Sequence, residues 1–254
     1  MLSAYDDLIE NNSRRIAILE EMAQAIYREW FVNFRFPGHE NVKLIDSPLG
    51  KIPEGWRVAN LFDIAEISYG FPYKSKQFTT TPEGKPVIRI RDILGHRSET
   101  YTNEDAGTKY IVKDGDILIG MDGDFHMCRW AGGDAVLNQR VARLRTKNEL
   151  PQYVLFHCVR EPILHFNATI VGTTVAHLGD KHLREINVVC PPMNLLINLH
   201  AIFEPLFFAE INLRKKIELL RSTRDLLLPK LISGQLDVED LDIDIGEQPV
   251  EATT

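Results

Sequence analysis

The chain has 254 residues, 44% of them hydrophobic, and a net charge of −7 from 29 Lys and Arg against 36 Asp and Glu. That length has room for a sizeable core with an extension. No uninterrupted run of 18 apolar residues exists for a membrane span and the acidic, amphipathic start is no secretory signal, so a cytoplasmic location without membrane contact is expected.

In chain order, the first predicted element is a long helix over residues 1–35. Leu2, Tyr5, Ile9, Asn12, Ile16, Leu19, Ala23, Ile26 and Trp30 step by three and four without a break, the 3.5-residue period of a coiled-coil seam. A linker is expected over residues 36–52, ending in the turn Ile52-Pro-Glu-Gly-Trp56. Residues 53–190 then read as one globular module of mixed short strands and helices. Pro86-Val-Ile-Arg-Ile-Arg91 alternates like a half-exposed strand, Lys113-Asp-Gly-Asp leads by a turn into the apolar strand Ile117-Leu-Ile119, and Gly120-Met-Asp-Gly-Asp124 turns again. Val136 to Arg145 alternates once more, and Tyr153 to Phe166 is the best internal helix. Cys128, Cys158 and Cys190 lack metal-ligand spacing and read as buried, reduced thiols.

Pro191-Pro192 opens a second long helix over residues 191–234, with seam positions Leu196, Leu199, Phe203, Leu206, Glu210, Leu213, Ile217, Leu220, Arg224, Leu227 and Leu231. A shift of 201 lays Asn11, Arg14-Arg15, Ile16 and Leu19 on Asn212, Lys215-Lys216, Ile217 and Leu220, so related helices bracket the module. The fold class expected is therefore α+β, with a globular domain flanked by two long helices that pair as an antiparallel coiled coil. The polar seam residues Asn12, Glu210 and Arg224 are of the kind that fix register and partner. Pro205 and Pro229 interrupt the second pattern and mark an expected kink or helix end, and Gly234 reads as a helix stop. Residues 235–254 form an acidic tail.

Chemistry-bearing patterns are few. Asp114, Asp116, Asp122 and Asp124 form two Asp-Gly-Asp clusters that could hold Mg²⁺ for a nuclease, but Asp-Gly is first of all turn chemistry. Cys190-Pro-Pro-Met193 lacks the Asn and the aromatic of the Asn-Pro-Pro-Tyr loop of adenine methyltransferases. No phosphate loop, nucleophile elbow or zinc spacing is present, so no catalytic residue, metal ligand or cofactor of its own is expected. Residues suited to double-stranded DNA do cluster at turns and strand edges: Tyr73, Lys74, Lys76, Arg91, Arg129, Arg140, Thr173, Thr174 and His177. Arg and amide side chains read base edges, whereas Lys and Ser/Thr mostly hold phosphates.

Leu2-Ser-Ala-Tyr-Asp-Asp-Leu-Ile-Glu-Asn-Asn12, Ile52-Pro-Glu-Gly-Trp56, Gly115-Asp-Ile-Leu-Ile-Gly-Met-Asp-Gly-Asp124, Leu137-Asn-Gln-Arg140, Gly172-Thr-Thr-Val-Ala-His-Leu178 and Leu231-Ile-Ser-Gly234 carry a resemblance over nearly the whole chain. The sequence resembles the DNA-specificity (S) subunit of type I restriction-modification systems. The resemblance implies a non-catalytic target-recognition domain over residues 53–190, reading one half of a split DNA site. Its helices would act as ruler and docking surface for methyltransferase (M) subunits, which bind S-adenosylmethionine and methylate adenine N6, and for a restriction (R) subunit. A common S subunit has two recognition domains and this chain has one, so either two copies associate or another half-specificity chain completes the site. The residues expected at that seam are Ile16, Leu19, Ile26, Leu213, Ile217, Leu220 and Leu227. The alternatives are a metal-dependent nuclease built on the Asp114–Asp124 carboxylates, and a helical scaffold that binds protein.

Overall fold

A computed structural model of the chain describes residues 2–147, 150–170 and 176–235. In chain order its elements are α1 (Leu2–Tyr27), β1 (Leu44–Ser47), β2 (Gly50–Pro53), β3 (Arg57–Asn60), α2 (Leu61–Ile64), β4 (Ala65–Tyr69), β5 (Lys85–Ile88), β6 (Tyr101–Thr102), β7 (Ile111–Val112), β8 (Ile117–Gly120), β9 (Met127–Arg129), β10 (Ala135–Leu137), β11 (Val141–Thr146), α3 (Gln152–Thr169), α4 (Asp180–Arg184), β12 (Asn187–Cys190) and α5 (Met193–Ile232).

The two long helices lie antiparallel. Arg224 Nη1 reaches Asp6 at 2.6 Å and Arg214 Nη2 reaches Glu20 at 2.5 Å, so low numbers on α1 meet high numbers on α5. Every seam position from Leu2 to Trp30 and from Leu196 to Leu231 is buried or half-buried. Ile16, Leu213 and Ile217 close a small core between the helices, with Ile9 and Leu19 packed beside it. This corrects one expectation: the seam proposed for a second copy is filled within a single chain. Ile26 packs instead on the main core of the globular module.

α5 runs 40 residues straight through Pro205 and Pro229, so neither proline ends it. A helix-interior proline costs about 3 kcal/mol, and a seam that includes fully buried Leu199 and Phe203 offsets that. Gly234 does stop the helix, at φ +68°, with its N–H donating to Leu231 O. α5 is also long and apolar enough by composition to cross a membrane, yet its apolar seam is covered by α1 and by the module. The acidic tail from residue 236 onward lies outside the described residues.

The module holds two four-stranded sheets, ordered β4-β11-β8-β9 and β6-β5-β10-β7. β8 is buried along its whole length, because successive side chains point to opposite faces. Ile117 and Ile119 enter the main core beneath α3, while Leu118 enters a second core with Ile88, Val112, Trp130 and Leu137. Short strands buried on both faces read as continuous apolar runs, as Ile117-Leu-Ile119 does.

Three segments differ from the sequence reading. Residues 36–52 are not a plain linker, since β1 and β2 form a hairpin there. The alternation after Pro86 stops at Ile88, and Ile90–Asp92 is a 3₁₀ turn whose Asp92 carboxylate accepts from the Arg89 N–H at 2.9 Å. Val136 to Arg145 is two strands, β10 and β11, parted by a turn at residues 138–140. At the end of α1 the helix widens into a π-helical turn, Arg28–Val32. Phe31, Phe34 and Phe36 from this stretch surround Trp56 at centroid distances of 5.3 to 5.7 Å, which fastens the rod to the module.

Candidate nucleic-acid interface

The segments that follow β4, β5, β8 and β10 come together at one edge of the module. Phe71 N–H donates to Leu137 O at 2.9 Å, Asn138 N–H to Ile88 O at 3.3 Å and Met121 N–H to Arg140 O at 2.9 Å. The stretch before α4 joins them, with Gly123 N–H donating to Ala176 O and Leu178 N–H to Met121 O. The approach is so close that a Cβ on Gly70 would sit 1.9 Å from the Asn138 carbonyl oxygen, so only glycine fits there.

Asp122 is the centre of this edge. Its Oδ2 accepts from Arg140 Nη1 at 2.6 Å and its Oδ1 lies 2.6 Å from His177 Nδ1. The Asp122 side chain is 19% exposed, against 58% for Arg140 and 54% for His177. Nearby, Tyr69 Oη donates to Asp180 Oδ1 at 2.6 Å, and Arg184 stacks over Phe62 at 4.2 Å. Burial and then the Asp180 bond push the Tyr69 hydroxyl above its ordinary pKa, while Tyr69 and Arg184 hold the Asp180 carboxyl below its own.

The nominated residues divide. Arg140 and His177 meet on Asp122. Lys74 and Lys76 lie exposed on the loop after β4, with the Lys74 N–H donating to Glu104 at 3.0 Å. Arg91 is exposed on the 3₁₀ turn after β5, 3.8 Å from Asp92, instead of projecting beside Arg89 from a strand. Thr173 and Thr174 lie outside the described residues. Two expectations are overturned. Tyr73 is 7% exposed and packs with Val87 and Val136 in a small core. Arg129 is 8% exposed and bonds the Glu210 carboxylate. β9 runs antiparallel to β8, with Arg129 opposite Ile117, which puts it at the end of the sheet away from the Asp122 turn.

Three Asp-Gly-Asp carboxylates are structurally engaged. Asp116 accepts from the Lys113 N–H at 2.8 Å and from Arg145 Nη2 at 2.6 Å. Asp114 accepts from the Gly133 N–H at 2.8 Å and pairs with Lys215 of α5 at 2.6 Å, and Asp122 holds the pair already described. Among the described residues, no group of three or more His, Cys, Asp or Glu stands ready for a metal ion.

Residues 53–206 match the family model of the type I restriction modification DNA specificity domain. The chain belongs to this DNA-specificity family. Relatives in the curated proteins include the MjaIX type I restriction enzyme specificity subunit of Methanocaldococcus jannaschii, 27% identical over 95% of this chain and 58% of the relative. The EcoBI specificity subunit of Escherichia coli is likewise 27% identical, over 83% of this chain and 46% of the relative. The chain thus spans about half the length of the curated relatives it matches. Among solved structures, the type I restriction-modification S subunit of M. genitalium shares the fold with a TM-score of 0.60 at 18% identity, over 91% of this chain and 58% of that one. A chain from a study of complex assembly in the type I system gives a TM-score of 0.52 at 15% identity, covering 92% of this chain and 56% of that one. In this specificity domain the family match covers the whole module and the start of α5, but not α1.

Proposed function

We propose that the chain is the address-reading part of a type I restriction-modification complex and carries out no chemistry itself. The module reads one half of a bipartite site in double-stranded DNA. The paired helices set its distance from a second reader, supplied by another copy or by a different half-specificity chain. They also present surface to methyltransferase subunits, which supply S-adenosylmethionine and flip the target adenine, and to a restriction subunit, all in the cytoplasm. The family match across residues 53–206 carries this reading. Exposed Leu219, Leu226 and Ile232 on α5 support the docking role.

The test is to express the chain with a type I methyltransferase subunit and map methylated adenines across the host genome. A split motif that appears only with the chain is expected, and an inverted repeat would mark two identical readers. Methylation indifferent to the chain overturns the reading. Incubating the purified chain with plasmid and Mg²⁺ should leave the DNA intact, and cuts that vanish with the Asp114–Asp124 carboxylates would restore the nuclease alternative.

A further inference from the structure

Asp122 is an odd residue to place where DNA is to bind, since a carboxylate repels phosphates and adds nothing to counterion release. Its surroundings give it another task. The two oxygens are divided between two side chains from distant parts of the chain, Arg140 Nη1 and His177 Nδ1, each at 2.6 Å. The backbone repeats the tie, because residues 122 and 177 form an isolated antiparallel β-bridge. Both partners are more exposed than their anchor.

Resting on the DNA-recognition reading above, we propose that Asp122 is a positioning residue that holds Arg140 and His177 as one preset unit for base-edge contact. An arginine tied through one Nη keeps further N–H donors for a bidentate contact, and a histidine held at Nδ1 keeps Nε2 for a further one. Arginine otherwise samples many rotamers, and fixing it before contact removes an entropic cost of binding. The anion's electrostatic penalty is tolerated because orientation, not net charge, distinguishes one base pair from another.

The two effects have opposite signs, which makes the proposal testable. The full chain is used to enrich a duplex from a pool with a randomised core, and affinities are then measured for that duplex and for a scrambled one. Asp122→Ala should weaken the enriched duplex about tenfold, while the scrambled duplex binds as well as before or better, one anion having been removed. Asp122→Asn keeps one acceptor oxygen and should lose less. In an Arg140→Ala/His177→Ala background, Asp122→Ala should have no further effect on the enriched duplex.

The proposal fails if Asp122→Ala leaves the preference for the enriched duplex unchanged, or weakens both duplexes in parallel. It also fails if the loss is as large in the double-alanine background, which is how general misfolding would look. A wild-type chain that enriches no sequence overturns the DNA-recognition reading itself, and this inference with it.

Discussion

Glu210 lies on the seam of α5, yet its carboxylate serves the module: it bonds Arg129 of β9 and, at 3.0 Å, Arg214 Nε, and Arg214 in turn reaches Glu20 of α1. Three elements are thereby pinned by one run of charges. Phe156 and Phe207 flank the Arg129 guanidinium at 5.2 and 5.3 Å, and burial pulls its pKa down while Glu210 opposes the shift. Removing one partner of such a pair leaves the other buried and uncompensated. Arg129→Ala should therefore cost about 3–5 kcal/mol in urea denaturation, and Arg129→Leu with Glu210→Leu should recover most of it. A single variant as stable as the parent would contradict the assignment. His157 makes a pH prediction. It is 6% exposed beside Tyr27 and Phe203, its Nε2 has no partner, and burial, then Arg129 and Arg160, push its pKa down to about 3. Between the unfolded value near 6.5 and the folded one, only the unfolded chain takes the proton. Its stabilising share, complete above about pH 6.5, is lost as pH falls, at up to about 1.4 kcal/mol per unit. His96, lowered to about 4 mainly by burial, acts in the same direction. Urea midpoints at pH 7.5 and 5.0 should show the loss, and His157→Leu should flatten it.

A helix seam can be checked against its own flank. Ile217 is 7% exposed between α1 and α5, whereas Leu219, two residues on, is 67% exposed. Ile217→Ala should cost about 2–5 kcal/mol and Leu219→Ala within about 0.5, measured by denaturation, and equal costs would mean the helices do not pair as described. The seams were legible because a 3.5-residue period repeats over many turns, so a few polar or proline positions cannot hide it. The strands offered no such averaging. β5 is four residues long, and the apolar-basic alternation of Ile88-Arg89-Ile90-Arg91 runs past its end. What stops it is the Asp92 cap, a single hydrogen bond that alternation does not encode. The candidate interface was half legible. Arg140 and His177 stood out by residue type, but their anchor read as a turn residue or a metal ligand and not as their partner, because the two lie 18 and 55 positions away. Arg129 misled for the same reason: its residue type fits DNA, and its partner Glu210 is 81 positions off.

For the whole molecule, the pairing of α1 with α5 makes rod length a quantity the sequence can change without touching the module. α1 with 26 residues is about 39 Å long and α5 with 40 about 60 Å. The first is close to one turn of duplex, 34 to 36 Å, and the second lies between one turn and two. Contacts at the Asp122 edge involve only the module's own segments, so lengthening the rods should leave the bases recognised unaltered. A seven-residue insertion, made at paired points of both helices, keeps the seam in phase and adds about 10.5 Å. If the rods measure out the site, the methylation motif of the altered chain should keep both halves while the spacer between them grows by about three base pairs. Duplex also turns as it lengthens, so the second half-site then faces another direction and methylation should slow as well. A motif with the original spacer at full efficiency would show that the distance is set elsewhere, by the methyltransferase or by the DNA path, and would leave the helices only their packing role.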